Sequence, residues 1–179
     1  MAYPFFTIGH STRSIAEFMN LLEASRIELV VDVRRIAQSR TNPQFNRDTL
    51  LDALATAKIG YVHLVSLGGL RNRPGTTSPN LLWDNPGFRN YADYAMTKEF
   101  HEGLTELRDL GHKSRSAIMC AEAVWWRCHR RIIADYLICS GEDVLNILGE
   151  DRVDQAILTA GAAPQPDGTI LYPMTESSR

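Results

Sequence analysis

The sequence predicts an α/β fold: a three-layer, open, mostly parallel sheet with helices on both faces. Three observations carry that prediction. Short apolar runs such as Phe5-Phe6-Thr7-Ile8 and Leu29-Val30-Val31 recur without polar alternation, as expected for strands buried on both faces. Between them lie stretches with apolar residues at helical spacing, each one-sided. Strand and helix in alternation imply right-handed crossovers onto a parallel sheet.

The elements follow in order. The first strand, Phe5 to Ile8, ends at Gly9. Ser14 and Glu17 stand at capping-box spacing and open a helix with Ile15, Phe18, Met19 and Leu22 on one face. The second strand runs from Glu28 to Arg34. A second helix covers Asp48 to Lys58, with Leu50, Leu54 and Ala57 together and Gly60 as its stop. Tyr61 to Leu64 is a third strand. From Val65 to Asn90 periodicity fades around Gly68-Gly69, Pro74-Gly75 and Pro86-Gly87, so a long loop, functional or mobile, is expected, and the sequence leaves open whether it is a lid. Helical spacing returns from Tyr91 through Leu107 to Gly111. Ser116 to Cys120 is the fourth strand. A helix from about Trp126 to Ser140 turns Ile132, Ile133, Tyr136 and Leu137 inward, with Cys139 on the same core face. Asp143 to Leu148 is the fifth strand. Beyond Thr159 three prolines suggest a loosely held tail. No repeat or linker interrupts the series, so residues 1–179 read as a single α/β domain, its core over about 5–150 and its tail over about 159–179.

Composition bounds the function. At 179 residues the chain suits one core, and 44% hydrophobic against 22% charged excludes wholesale disorder. A net charge of -2 excludes a global basic field that would draw the protein to nucleic acid or anionic lipid. No apolar stretch approaches the roughly 20 residues that span a bilayer, so no membrane partner is expected. Three cysteines, an odd number, with no export signal, point to reduced thiols and a cytoplasmic protein.

Ligands of open parallel sheets bind beyond the carboxyl ends of the strands. Four strands deliver chemistry to that edge. They end in His10-Ser11, in Asp32-Val33-Arg34, in His63, and in Cys120-Ala121-Glu122, the last followed by Arg127-Cys128-His129-Arg130. Arginine usage agrees. The chain has 16 Arg and 3 Lys, and ten of the arginines fall in or beside this rim: Arg34 and Arg35, Arg40 and Arg47, Arg71 and Arg73, Arg89, and Arg127 with Arg130 and Arg131. The planar guanidinium suits phosphate or carboxylate, whereas ordinary surface ion pairs favour Arg over Lys less heavily.

Cys120 is the sharpest residue. It sits where a strand meets a helix start, and the helix dipole and Arg127 would stabilise its thiolate; a structural cysteine closing the strand is the bland alternative. His10, His63 and Glu122 are the acid/base candidates, although His63 can equally be a hydrogen-bonded core histidine. Ser11, Arg34, Arg40, Arg127, His129 and Arg130 are the candidate substrate-binding groups. Asp32, a further candidate with Cys128, reads as a partner for an arginine or a cap for a loop amide. Cys128 and His129, adjacent on a helix, should diverge by about 100° and so grip one ion poorly. No Cys-x-x-Cys pair is present, so no metal and no cofactor is predicted, and a Cys/His metal site is kept as an alternative. His101 and His112 look solvent-facing.

Thr7-Ile8-Gly9-His10-Ser11, Val31-Asp32-Val33-Arg34, Ser39-Arg40 with Asn42-Pro43-Gln44-Phe45, Tyr61-Val62-His63-Leu64 with Leu67-Gly68-Gly69, and Cys120-Ala121-Glu122-Ala123 with Trp126-Arg127-Cys128-His129-Arg130 resemble the domain of unknown function 488 family of bacteria and archaea. The resemblance covers about residues 5–150. Val124 departs from it, since many relatives carry a proline before the Trp. It implies no established activity, and some relatives are loosely labelled as DNA-repair proteins.

The expected function is therefore a cysteine-nucleophile hydrolase or transferase acting on a small anionic, phosphate- or carboxylate-bearing substrate. The alternative is a nucleic-acid-binding or repair-associated module with Trp83, Trp125 and Trp126 as base contacts.

Overall fold

The computed structural model describes residues 2–69, 71 and 77–176. Five parallel strands, β1 (Phe5–Gly9), β2 (Leu29–Asp32), β3 (Gly60–His63), β4 (Ser116–Cys120) and β5 (Val144–Gly149), form one sheet with an antiparallel edge strand, β6 (Arg152–Gln155). Their order is β3-β2-β4-β1-β5-β6. The helices are α1 (Ile15–Ala24), α2 (Arg47–Thr56), α3 (Pro86–Tyr94), α4 (Lys98–Lys113) and α5 (Arg130–Cys139).

Each central strand is apolar on both sides because each side has its own core. Phe6, Ile8, Val30, Ala117 and Met119 pack on Phe18 and Leu22 of α1 and Leu50 and Leu54 of α2. Phe5, Val31 and Ile118 pack on Phe100, Leu104 and Leu107 of α4 and Ile132 and Ile133 of α5. These are the three layers. Period-2 geometry sends neighbours to opposite faces, and helices on both faces remove any polar alternation.

The capping box of α1 forms as its spacing implies: the Glu17 amide donates to Ser14 Oγ at 3.1 Å and the Ser14 amide to Glu17 Oε2 at 3.3 Å.

Several expectations need correction. The segment from Val65 to Asn90 is not all loop: a 3₁₀ turn spans Val65–Leu67, and α3 begins at Pro86 behind Asn85, whose side chain accepts from the Gly87 and Phe88 amides. Leu70 and residues 72–76, which include Arg73 and part of the candidate lid, lie outside the described residues. The tail is docked. A short hairpin pairs β7 (Ala163–Pro164) with β8 (Ile170–Leu171), and the buried Tyr172 hydroxyl donates to Asp135 at 2.8 Å. Cys139 is exposed rather than core, and His101 packs its ring against Phe100 and Tyr136 rather than facing solvent.

Candidate active site

The register of the sheet brings the distant motifs together. Gly9 is level with Cys120, and beyond that level the His10 amide donates to the Cys120 carbonyl and the Ser11 amide to that of Ala121, both at 2.9 Å. Gly9 must lack a side chain, because a Cβ there would overlap the carbonyl of Glu122. On the other side of β4, the Val33 amide donates to Met119 at 2.9 Å. A cavity of about 720 Å³ opens at this edge, with Arg34, Arg40, Cys120, Glu122, Arg127, Cys128 and His129 among its lining.

The chain from β4 to α5 is not the continuous helix that the spacing suggested. A 3₁₀ turn at Trp125–Arg127 gives way to an extended Cys128 (φ -127°, ψ 148°), and His129 precedes the first turn of α5. The divergence expected of two neighbours on a helix therefore does not occur. Cys128 Sγ lies 3.6 Å from His129 Nδ1, and His129 Nε2 lies 3.0 Å from the Val33 carbonyl. A carbonyl can only accept, so Nε2 carries the hydrogen and Nδ1 is left facing the sulfur. A sulfur, an imidazole and an orienting carbonyl thus stand in line.

Arg130 completes the arrangement from below. It is 1% exposed. Its amide, the first of α5, and its Nε each donate to Cys128 Sγ at 3.4 Å, its Nη2 donates to the Glu122 carbonyl at 2.6 Å, and its Nη1 to Thr7 Oγ1 at 3.4 Å. Among the described residues no carboxylate pairs with this guanidinium.

The two buried thiols consequently separate. Burial pushes Cys120 well above the usual thiol range, and the neighbouring Cys128 sulfur adds to that, so Cys120 keeps its proton, with the Cys128 sulfur and, at 4.0 Å, the Glu122 carbonyl as acceptors. For Cys128 burial acts in the same upward direction, but the Cys120 hydrogen bond, His129 and Arg130 together outweigh it and hold the thiol well below its usual range. The sequence reading set the helix start and Arg127 beside Cys120; in the structure the first amide of α5 and the Arg130 Nε both donate to Cys128 Sγ.

The other predicted residues divide between rim and frame. Arg40 and Arg127 are exposed at the cavity with no polar partner among the described residues, and the Glu122 side chain, also exposed, lines both this cavity and a smaller one of about 280 Å³ beside His10 and Ser11. Arg34 reaches the cavity but is committed: its Nε and Nη2 donate to the fully buried Asp32 carboxylate at 3.0 and 2.8 Å, and Tyr61 donates to the same carboxylate at 2.5 Å. His10 is stacked on Phe45 at 4.4 Å, with Nδ1 2.9 Å from the Ser11 carbonyl and Nε2 3.4 Å from Arg34 Nη1. Burial pushes its pKa down, and it stays neutral. His63 Nε2 is 2.6 Å from the Arg34 carbonyl and buttresses β2; it lines neither cavity.

Among the described residues, the rim arginines that line the large cavity are Arg34, Arg35, Arg40 and Arg127. Arg71 lies over the Tyr94 ring, and Arg131 lies between Trp83 and Trp125. Gly69, Phe88 and Tyr91 are cavity residues that the sequence reading left without a role. The Gly68-Gly69 doublet was their one visible signal. A Cβ at Gly69 would come 2.9 Å from His129 Nδ1.

A family model described as a domain of unknown function, DUF488, matches residues 14–137. The chain belongs to that family. The matched stretch runs from the cap of α1 into α5, so the DUF488 region holds Arg34, Arg40, Cys120, Cys128, His129 and Arg130, while His10 and β5 stand outside it. Nothing among the curated proteins and nothing among the solved structures matches this DUF488 chain.

Among the described residues of the DUF488 chain, no three His, Cys, Asp or Glu side chains gather closely enough to hold a metal ion. No helix there is long and apolar enough to cross a membrane. Of the three tryptophans considered as base contacts, Trp83 is buried against Phe88 and Tyr172, and Trp126 is exposed.

Proposed function

We propose that this chain is a cysteine-dependent hydrolase or transferase in which Cys128, rather than Cys120, is the nucleophile, and that it acts on a small anionic substrate in a reducing, cytoplasmic setting. One observation carries the reading: among the described residues the buried Arg130 guanidinium has no carboxylate partner, and of the two thiols beside it Cys128 is the one whose sulfur accepts from both the Arg130 amide and Nε. A buried cation without an anion is costly, so the pocket favours the thiolate. Thiolate, and not thiol, is the nucleophilic form.

The roles follow from position. Cys128 Sγ passes its proton to His129 Nδ1 and attacks an electrophilic carbon or phosphorus, and the departing group takes that proton from Nδ1 as its bond to the substrate breaks. The rim arginines Arg40 and Arg127 hold the anionic part of the substrate. Glu122, at the mouth, deprotonates the water or acceptor that releases the covalent intermediate and frees the sulfur. A cavity of about 720 Å³ suits a small molecule or a single polymer unit.

Alkylation with two reagents of the same size tests nucleophile and charge preference together. Iodoacetate, an anion, is expected to modify Cys128 faster than neutral iodoacetamide does, the reverse of a free thiol. Arg40→Ala and Arg127→Ala each reduce that preference. Both rates should already be at their plateau near neutral pH. A rate for Cys128 that climbs through about pH 8.5, as an ordinary thiol does, removes the nucleophile. Equal rates for the two reagents remove the anionic substrate.

A further inference from the structure

Cys120 is left without a task in the reaction above, although a buried thiol at the floor of the same cavity is in hydrogen-bond contact with the proposed nucleophile. The two sulfurs come from opposite ends of one short connection. Cys120 is the last residue of β4, and Cys128 is the extended residue that precedes the turn into α5. The backbone between them is anchored at Glu122, whose carbonyl accepts from Arg130 at 2.6 Å and lies 4.0 Å from Cys120 Sγ. Cys139, the remaining cysteine, is exposed at the last turn of α5 and is not one of the cavity residues.

We infer that Cys120 and Cys128 form a two-electron thiol/disulfide couple in which Cys120 is the resolving thiol, so that peroxides silence the site reversibly. The inference rests on the assignment of Cys128 as the reactive thiolate. In the first step the Cys128 sulfur attacks one oxygen of hydrogen peroxide. A sulfur–oxygen bond forms, the oxygen–oxygen bond breaks, and the hydroxide released takes a proton to leave as water; Cys128 becomes a sulfenic acid. In the second step the Cys120 sulfur, losing its proton, attacks the Cys128 sulfur and displaces hydroxide, which takes up that proton. The net change is two thiols and one peroxide to one disulfide and two waters.

The surroundings favour each direction in turn. The thiolate is the form that peroxide oxidises, and a thiol already in contact needs no loop opening to resolve the sulfenic acid before further oxidation. Once the disulfide forms, Arg130 loses its anion while staying buried. The oxidised state therefore holds an unpaired charge, which makes the disulfide a readily reduced one.

The test uses the full chain carrying Cys139→Ser, so that the two site thiols are its only cysteines. Folded protein is treated with hydrogen peroxide, unfolded in N-ethylmaleimide and digested with trypsin. Cleavage after Arg115, Arg127 and Arg130 parts the two cysteines into peptides Ser116–Arg127 and Cys128–Arg130. The expected product is these two peptides joined, two hydrogens lighter than their sum and separated by dithiothreitol, which also restores the reaction of folded protein with iodoacetate. In the companion Cys120→Ser variant peroxide carries Cys128 on to the sulfinic acid. Sulfinic acid at Cys128 with Cys120 present, or both thiols still open to N-ethylmaleimide, overturns the couple. If Cys128 fails to link yet reacts with iodoacetate at neutral pH, the couple falls and the nucleophile stands. If Cys128 is inert to both reagents, both fall.

Discussion

Arg130 Nε lies 3.4 Å from Cys128 Sγ, and this contact joins a residue almost closed to solvent to the sulfur of a cavity-lining cysteine. Removing one partner of a buried ion pair costs about 3–5 kcal/mol, because the other charge remains buried. Cys128→Ser is expected to lower the unfolding free energy by about 3 kcal/mol in urea at neutral pH. The loss should depend on pH with a definite sign. The folded thiol is held down while the unfolded chain titrates near about 8.5. Between those values the unfolded chain binds more protons, so this contribution is full above about 8.5 and is lost as pH falls through the folded value. The gap between wild type and Cys128→Ser therefore narrows on acidification. A gap constant with pH would contradict a thiolate.

Gly69 offers a way to move His129 without touching its chemistry. A methyl group there meets Nδ1 at 2.9 Å, closer than packed atoms tolerate, and the ring must shift from its place beside Cys128. Gly69→Ala is expected to slow iodoacetamide modification at neutral pH on the order of tenfold, with little change in the urea midpoint. An unchanged rate would mean that His129 does not act on the sulfur.

Asp32 and Arg34 form the second buried pair of the sheet edge. Nε and Nη2 of Arg34 both bond the carboxylate, and Tyr61 adds a third donor. Asp32→Asn leaves the guanidinium without its anion and should cost about 3 kcal/mol in thermal or urea unfolding. Replacing Arg34 by Met in the same chain should recover part of that loss, since an apolar side chain needs no counter-charge. Failure of the double variant to exceed the single one would mean that Arg34 is not paired as described.

Tyr172 ties the tail to α5. Its hydroxyl donates to Asp135, and its carbonyl accepts the Leu82 amide at 2.9 Å. Tyr172→Phe strips a donor from a buried carboxylate and should cost about 1–3 kcal/mol. Hydrogen exchange at the Leu82 amide should accelerate with it. Unaltered exchange would indicate a tail that is held elsewhere.

The layer structure was legible in the sequence because helices on both faces impose one pattern, apolar throughout, on every inner strand. The pieces that escaped were those with no room for a pattern. β6 is four largely polar residues, Arg152–Gln155, and β7 and β8 are two residues each. α3 was hidden by Pro86-Gly87, read as a loop signal although proline at a first helical position behind Asn85 is also a start signal.

The rim was legible in part, since strand ends identify themselves once the strands are found. Which thiol meets the helix start and the buried arginine was not. Helical spacing after Trp126 concealed the extended Cys128, whose conformation no glycine or proline announces and which bonds to the Arg130 side chain accompany. A buried arginine is likewise invisible until its surroundings are known, because charge in a sequence reads as surface.

Strands β1 and β2 follow one another in the chain but do not touch; β4 lies between them. A polypeptide growing from its amino end therefore completes α1 and α2 while the middle of its sheet stands open, and the wedge that fills the gap carries Cys120 at its tip. Assembly of the sulfur centre coincides with closure of the sheet. On the function proposed above, a chain that has not yet placed β4 holds no organised thiolate to be poisoned.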